Sequence, residues 1–454
     1  MSVAFPFAHR HAAKCSTDCV GETEVELRAA NGRREMQRRA FLAFGSQTAL
    51  WALAAAHATS AFEEPPTSVD LEQRVASAIA AYDAQGNHRT GTAVDRQSGE
   101  WLSAQIRRLG VQPFLEPFTL DRIDLRSSYL RVADRRIEGV PLFDAGFTGA
   151  EGVKGVIGPV GSDADIAVVE SAPPRLANTD PVQRDQVEEA RRGPYRAVVV
   201  LTRGPNPGLF LLNANRFRAP AGPPMLQISS AEAAWLHEQA AARAEVTLVA
   251  DVHRTTAQAF NVTAKIAGSN PALAPVVVMA PRSGWWQCAS EQGSRIACWL
   301  EVIRAIKSGK PARDCCFVAM SGHELGFLGM DPYLKRHPEL QNRSHAWIFF
   351  GSDIGAPRQP NLIHASDDEL ERWGRGAMEK EGIAVNAKAR HDSIARGETQ
   401  SVQRAGGRFF TIACESQVYH NPADRWPVSI DVANLARYAR AFANGVLELS
   451  RQTV

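Results

Sequence analysis

The chain has 454 residues, 44% of them apolar and 22% charged, with a formal charge of +2. That composition can bury a large core, and at this length it predicts two or three domains. Residues 1–61 hold seven Lys/Arg and five Asp/Glu, leaving 44 of each sign in the remainder. With no basic run that carries interleaved aromatics, the balance argues against nucleic acid or an anionic membrane surface and favours a peptide or small-molecule substrate.

Residues 1–61 read as a leader rather than as structure. Arg38 and Arg39 precede a modest apolar stretch that ends near Ala58 or Ala61, a pattern that resembles a bacterial twin-arginine export signal, and Met36 is an alternative start. Gly45, Ser46, Gln47 and Thr48 interrupt the apolar stretch, which at about 17 residues is short of the ~20 that a membrane span needs. The expectation is therefore cleavage, a mature chain with no span, and a periplasmic or secreted location. Five cysteines follow the leader, Cys288, Cys298, Cys315, Cys316 and Cys414. They lack the spacing of a zinc knuckle or a redox pair and are expected mostly as small core residues.

A proline-rich linker over 62–68 leads to residues 69–83, whose apolar positions recur at helical spacing. After His88 to Thr92, a second helix is expected over 98–109, where Trp101, Leu102, Ile106 and Leu109 fall at three- and four-residue steps and Gly110 supplies the stop. From 118 to 252 the texture changes to short β-like runs at 128–132, 166–169, 196–202 and 208–212, separated by loops rich in Gly and Pro, with a helix-like stretch at 230–242.

From Phe260 onward, strands and helices alternate. Four apolar runs, 275–280, 315–320, 346–350 and 409–413, each end just before polar residues. The prediction is an α/β fold with a mixed, mainly parallel sheet flanked by helices, interrupted by an inserted β-rich domain. The four segments are a leader 1–61, a first part 62–117, the insert 118–252 and the main part 253–454. Ligands of such sheets bind outside the carboxyl ends of the strands, so the working residues are expected there.

Glu291, Glu324, Asp353 and His420 all follow strand ends. Carboxylate oxygens with an imidazole nitrogen suit zinc or another divalent metal. The stretches that carry these residues are 276–283 (Val-Val-Val-Met-Ala-Pro-Arg-Ser), 289–295 (Ala-Ser-Glu-Gln-Gly-Ser-Arg), 322–329 (Gly-His-Glu-Leu-Gly-Phe-Leu-Gly), 351–353 (Gly-Ser-Asp) and 418–422 (Val-Tyr-His-Asn-Pro). Together they resemble the co-catalytic zinc exopeptidases, which include bacterial aminopeptidases, glutamate carboxypeptidase and glutaminyl cyclase. The resemblance covers about 69–109 and 260–449, and the segment between looks like the protease-associated domain often inserted there.

That family runs through His-x-Asp after a strand, a bridging Asp, Glu-Glu-x-Gly-x-x-Gly, another Asp after a strand and a late Tyr-His. Here Pro281, which has no side-chain donor, stands where the first His ligand is expected. Glu291 replaces the bridging Asp, and His323 stands in place of the Glu that acts as general base. The resemblance maps Glu324 onto the carboxylate ligand, Asp353 onto the second-site acid and His420 onto the late imidazole. Glu291, Glu324 and His420 then form a three-ligand site with an open position, which implies one zinc rather than two.

His323 has two readings, a base that shuttles a proton from water and a structural hydrogen bonder. Arg282 and Arg295 offer guanidinium groups that would neutralise the acids without a metal, although strand alternation turns Arg282 away. Trp285 and Trp286 are candidate walls of a substrate pocket, and Glu398 is a candidate for orienting a substrate amine or His420. The leading expectation is an exported hydrolase of a peptide or small amide bond, the alternative a catalytically inactive homologue that binds peptides in the same cleft. A cyclase-type acyl transferase fits less well, because those relatives keep the carboxylate base.

Overall fold

A computed structural model of the chain describes residues 70–171, 181–357 and 360–453; the leader, with its twin-arginine pattern and cleavage positions, lies outside the described residues. Helix α1 (Leu71–Asp83) buries Val75, Ile79 and Tyr82 at three- and four-residue steps. Helix α2 (Ala93–Arg108) starts where the Thr92 hydroxyl accepts the Asp95 N–H, earlier than the apolar spacing alone indicates. It stops at Gly110, whose φ of +69° is open to a residue without a Cβ.

Strand β1 (Pro113–Val132) and β8 (Glu245–Ile266) form a long antiparallel ribbon, with one irregularity between Leu125 and Ser127. Between them come β2 (Arg135–Glu138), β3 (Val140–Pro141), β4 (Val153–Pro159), β5 (Ile166–Ser171), α3 (Pro181–Arg192), β6 (Ala197–Thr202), β7 (Met225–Ser229) and α4 (Ala233–Ala241). Strands β4, β5, β6 and β7 run parallel, with β3 antiparallel at the edge. The expected boundaries at 117/118 and 252/253 both fall inside the ribbon strands. One end of β8 pairs with β4 of the insert and the other with the main sheet.

The run 208–212, expected as a strand, is instead an extended loop. Its amides bond to side chains and to the site: Phe210 N–H to the Thr202 hydroxyl (3.0 Å), Leu211 N–H to the His420 carbonyl (3.2 Å) and Leu212 N–H to Gln227 Oε1 (2.7 Å). Phe210 and Leu211 are buried, so packing rather than a ladder accounts for the apolar sequence.

The main part continues with β9 (Val276–Pro281), α5 (Ser294–Gly309), β10 (Cys315–Met320), α6 (Met330–Arg336), β11 (Ala346–Phe350), β12 (Asn361–Ala365), α7 (Asp368–Glu379), β13 (Ala387–Lys388), α8 (Thr399–Arg404), β14 (Phe409–Cys414) and α9 (Val432–Arg451). The strand order is β13-β12-β14-β11-β9-β10-β8. Strands β14, β11, β9 and β10 are mutually parallel, while β12 and β8 flank them antiparallel. This is the mixed, mainly parallel sheet expected, and all four parallel strands end at one edge.

Strand β9 shows why these runs are wholly apolar. Val276, Val278 and Ala280 pack with Ile296, Trp299 and Ile303 of α5, whereas Val277 and Met279 pack with Tyr333, Trp347 and Phe409 on the opposite face. The five described cysteines are free, and four are buried. Burial pushes the thiols of Cys315 and Cys414 up to about 12, which makes them inert packing groups. Among the described residues, no helix is long and apolar enough to cross a membrane.

Trp299 anchors α5 to the sheet: it is fully buried, donates Nε1–H to the Val278 carbonyl at 3.1 Å and stands edge-on to Phe317. Trp299→Ala is predicted to lower the unfolding free energy by about 3–5 kcal/mol in a urea titration. A loss below about 1 kcal/mol would contradict this anchoring role.

Candidate metal centre

The carboxyl edge of the parallel strands carries the residues on which the sequence focused. After β9, Arg282 turns into the structure: its guanidinium pairs with Asp95 Oδ1 at 2.8 Å and donates to the Phe260 carbonyl at 2.6 Å. Asp95 also accepts from the Ser321 hydroxyl and the Gly91 N–H, so Arg282 ties α2 to the end of the sheet and stays out of the site.

Glu291 sits in a π-turn over Ala289–Gly293, just before α5, and is 1% exposed. Asp424 holds this turn by accepting the N–H groups of Ser290 (2.7 Å) and Glu291 (2.9 Å). His420, at φ +61°, follows β14 and is buried, as is His323, in the short turn after β10. The three converge: Glu291 Oε1 lies 3.3 Å from His420 Nε2 and 3.7 Å from His323 Nε2.

The far side of each imidazole fixes what faces the centre. His323 Nδ1 lies 2.9 Å from Glu398 Oε1, and His420 Nδ1 lies 2.6 Å from the Leu211 carbonyl. The Glu398 carboxylate and the Leu211 carbonyl are acceptors for Nδ1–H, so each ring turns its Nε2 toward Glu291. Neither Nε2 has a hydrogen-bond partner and neither does Glu291 Oε2, while Glu291 Oε1 accepts from Gln292 Nε2 at 3.0 Å. Three buried acceptors facing one another require a cation or protons between them. Tetrahedral zinc, with bonds of ~2.0–2.1 Å, holds its donors roughly 3.3 Å apart, close to the separations observed, so the residues fit the metal. Burial works to raise Glu291, but His420, His323 and Arg295 outweigh it and hold the carboxyl down to about 2.

The other two expected ligands lie elsewhere. Glu324 is fully buried, but its oxygens are occupied: Oε1 accepts the Thr90 N–H (2.7 Å) and Oε2 the Ser283 hydroxyl (2.8 Å). Ser283 also accepts the Gly322 N–H, so Glu324 serves as the floor under the turn that presents His323. Gly322 has φ +97°, and a Cβ there would press on Leu328 and the Gly329 nitrogen. Asp353, at φ +63°, is buried with both carboxyl oxygens unpartnered and stays outside the three-donor group. Burial raises it well above the usual carboxylate range, with Asp424 and Glu291 adding to the shift.

Glu398 faces His323 rather than His420. Trp285 ties the insert to the site by donating Nε1–H to Asn213 (3.1 Å), and Trp286 donates Nε1–H to the His420 carbonyl within the main part (2.9 Å). Neither tryptophan lines the cavity of about 820 Å³ that opens beside the centre. Its walls include His323, Asp353, Arg295, Phe349 and Tyr419 from the main part and Leu212 and Asn213 from the insert. The sequence gives no sign of Leu211, which acts through its carbonyl. Thr90, in the polar stretch 88–92, also acts through its backbone.

The fold is a mixed, mainly parallel α/β sheet, with the three-donor group as a candidate metal centre at its carboxyl edge. Residues 261–446 match the profile of Peptidase family M28, which bears out the resemblance to the co-catalytic zinc exopeptidases. A zinc aminopeptidase from Bacillus subtilis superposes with a TM-score of 0.68 at 18% identity, over 84% of this chain and 95% of that one. A Peptidase M28 precursor from Shewanella amazonensis gives 0.68 at 19% identity, over 85% and 96%. An aminopeptidase from Aneurinibacillus sp. strain AM-1 gives 0.64 at 15% identity, over 84% and 94%. No curated protein sequence matches the chain.

If Glu398 orients His323, Glu398→Ala should weaken metal binding about 10–100-fold in a chelator competition. Glu398→Gln keeps an acceptor for Nδ1–H and should fall between that variant and the parent protein. Parent affinity in Glu398→Ala would reject the orienting role.

Proposed function

We propose that the protein is an exported, single-metal hydrolase of a peptide or amide bond, with Glu291, His323 and His420 as ligands of one zinc ion. The observation that carries the proposal is the convergence of three buried acceptor atoms whose rings are locked from behind by Glu398 and Leu211. Two imidazoles and a glutamate are a known zinc donor set for peptide hydrolysis. The M28 match and the zinc aminopeptidases of like fold support the same reading. In this assignment His323 is a ligand rather than a base, because its second nitrogen is committed to Glu398.

A bound divalent ion would supply Lewis acidity, polarising an amide carbonyl and acidifying water. The protein residues supply the rest. Glu398 and the Leu211 carbonyl hold the two rings in one tautomer, and Asp424 fixes the turn that aims Glu291. Asp353 lines the cavity with both oxygens unpartnered, so it is the carboxyl group placed to carry a proton between water and a leaving amine.

Metal analysis of the purified protein is expected to give about one equivalent of a divalent ion, preferentially zinc. Glu291→Gln, His323→Ala and His420→Ala should each lose it. Less than about a tenth of an equivalent in the parent protein would sink the hydrolase reading and favour a peptide-binding homologue. If His323 were only a proton shuttle, His323→Ala would retain the ion.

Asp353→Asn should keep the metal and lower turnover of a small amide substrate by at least about 100-fold. Loss of the metal in this variant would instead make Asp353 a ligand.

A further inference from the structure

Arg295 is a buried charge that acts on Glu291 and Asp353 while two of its donor atoms stay unpaired. It lies in the first turn of α5, is 2% exposed and lines the cavity. Its Nε and Nη1 have no hydrogen-bond partner. The guanidinium sits 5.7 Å over the Phe349 ring, which supports it without satisfying its N–H groups. Other buried arginines are treated differently. Arg282 is paired with Asp95 and the Phe260 carbonyl, and Arg191 with Asp144, Glu188 and the Ala221 carbonyl.

Desolvating a guanidinium without a partner is costly, and truncating its donors would relieve that cost unless a ligand uses them. The position is specific as well. Arg295 follows Glu291 by four residues, so the two share one helical face a turn apart. Arg295 and His323 line the same cavity, so a group bound to Arg295 lies beside the three-donor centre. Planar N–H donors in a partly dry pocket match a carboxylate, and their charge opposes an ammonium.

We propose that Arg295 binds a carboxylate on the substrate, adjacent to the scissile amide, so that the site takes N-acyl amino acids or peptide C-termini in preference to substrates with a free α-amine. The proposal rests on the hydrolase reading for the bond that is cleaved, but not for the ligand that is bound.

Calorimetric titration of metal-loaded and chelator-stripped protein with N-acetylleucine and N-acetylleucinamide separates these ideas. N-acetylleucine should bind at least about tenfold more tightly than the amide in both forms, as expected for a charge-assisted contact. Arg295→Met should erase the preference by weakening the acid alone, with its thermal unfolding midpoint compared to that of the parent chain. Should Arg295→Met not fold, Arg295→Lys keeps the charge without the planar donors and should still reduce the preference. A preference confined to the metal-loaded form would place the carboxylate on the metal ligands and overturn the proposal, as would one unchanged in Arg295→Met or Arg295→Lys. Because the stripped protein reports on Arg295 without turnover, a missing metal or absent hydrolysis refutes the hydrolase reading separately.

Discussion

The chemistry of the pocket depends on two hydrogen bonds made on the far sides of two imidazole rings. Had His323 and His420 been free to rotate, either ring could have offered an N–H to Glu291, and the three groups would form an ordinary buried polar cluster. Glu398 and the Leu211 carbonyl fix both rings by accepting from Nδ1–H, so only Nε2 faces Glu291. What remains at the centre is a carboxylate facing two ring nitrogens, shielded from water, a donor set that a metal cation can share.

This dependence reaches into the inserted segment. Leu211 belongs to the loop between β6 and β7, and its neighbour Ala214 donates its N–H to the Glu324 carbonyl at 2.8 Å. Asn213 receives Trp285, and the Leu211 N–H returns to the His420 carbonyl. The insert therefore contributes directly to the orientation of a ligand ring. The long ribbon of β1 and β8 gives that contribution a rigid base, since the same two strands pair inside the insert and against the main sheet.

The strands and their common edge were legible in the sequence because both faces of the sheet are covered, which turns each parallel strand into an unbroken apolar run. The runs at 315–320 and 346–350 coincide with β10 and β11. The same logic misled at 208–212, where buried apolar residues belong to a loop. Side-chain chemistry located Glu291, His323 and His420, but the pattern could not say which of the adjacent pair His323 and Glu324 faces the centre. That is decided by Thr90 and Ser283, which occupy both oxygens of Glu324, and one of these contacts comes from a backbone N–H about 230 residues away. Glu398 was visible as a candidate for orienting a substrate amine or His420, whereas its contact with His323 followed only from the fold.

The two departures at the ends of β9 and the π-turn act in the same direction. Pro281 offers no donor at the strand end where the related family has a histidine, and Arg295 brings a fixed positive charge one turn beyond Glu291. The field of the Arg295 guanidinium favours the ionised forms of both Glu291 and Asp353. A second cation at Glu291 would meet that field without the ligand that Pro281 fails to supply. The single-ion proposal draws on both residues together: one removes a donor, and the other takes over part of the charge compensation that a second ion would have provided.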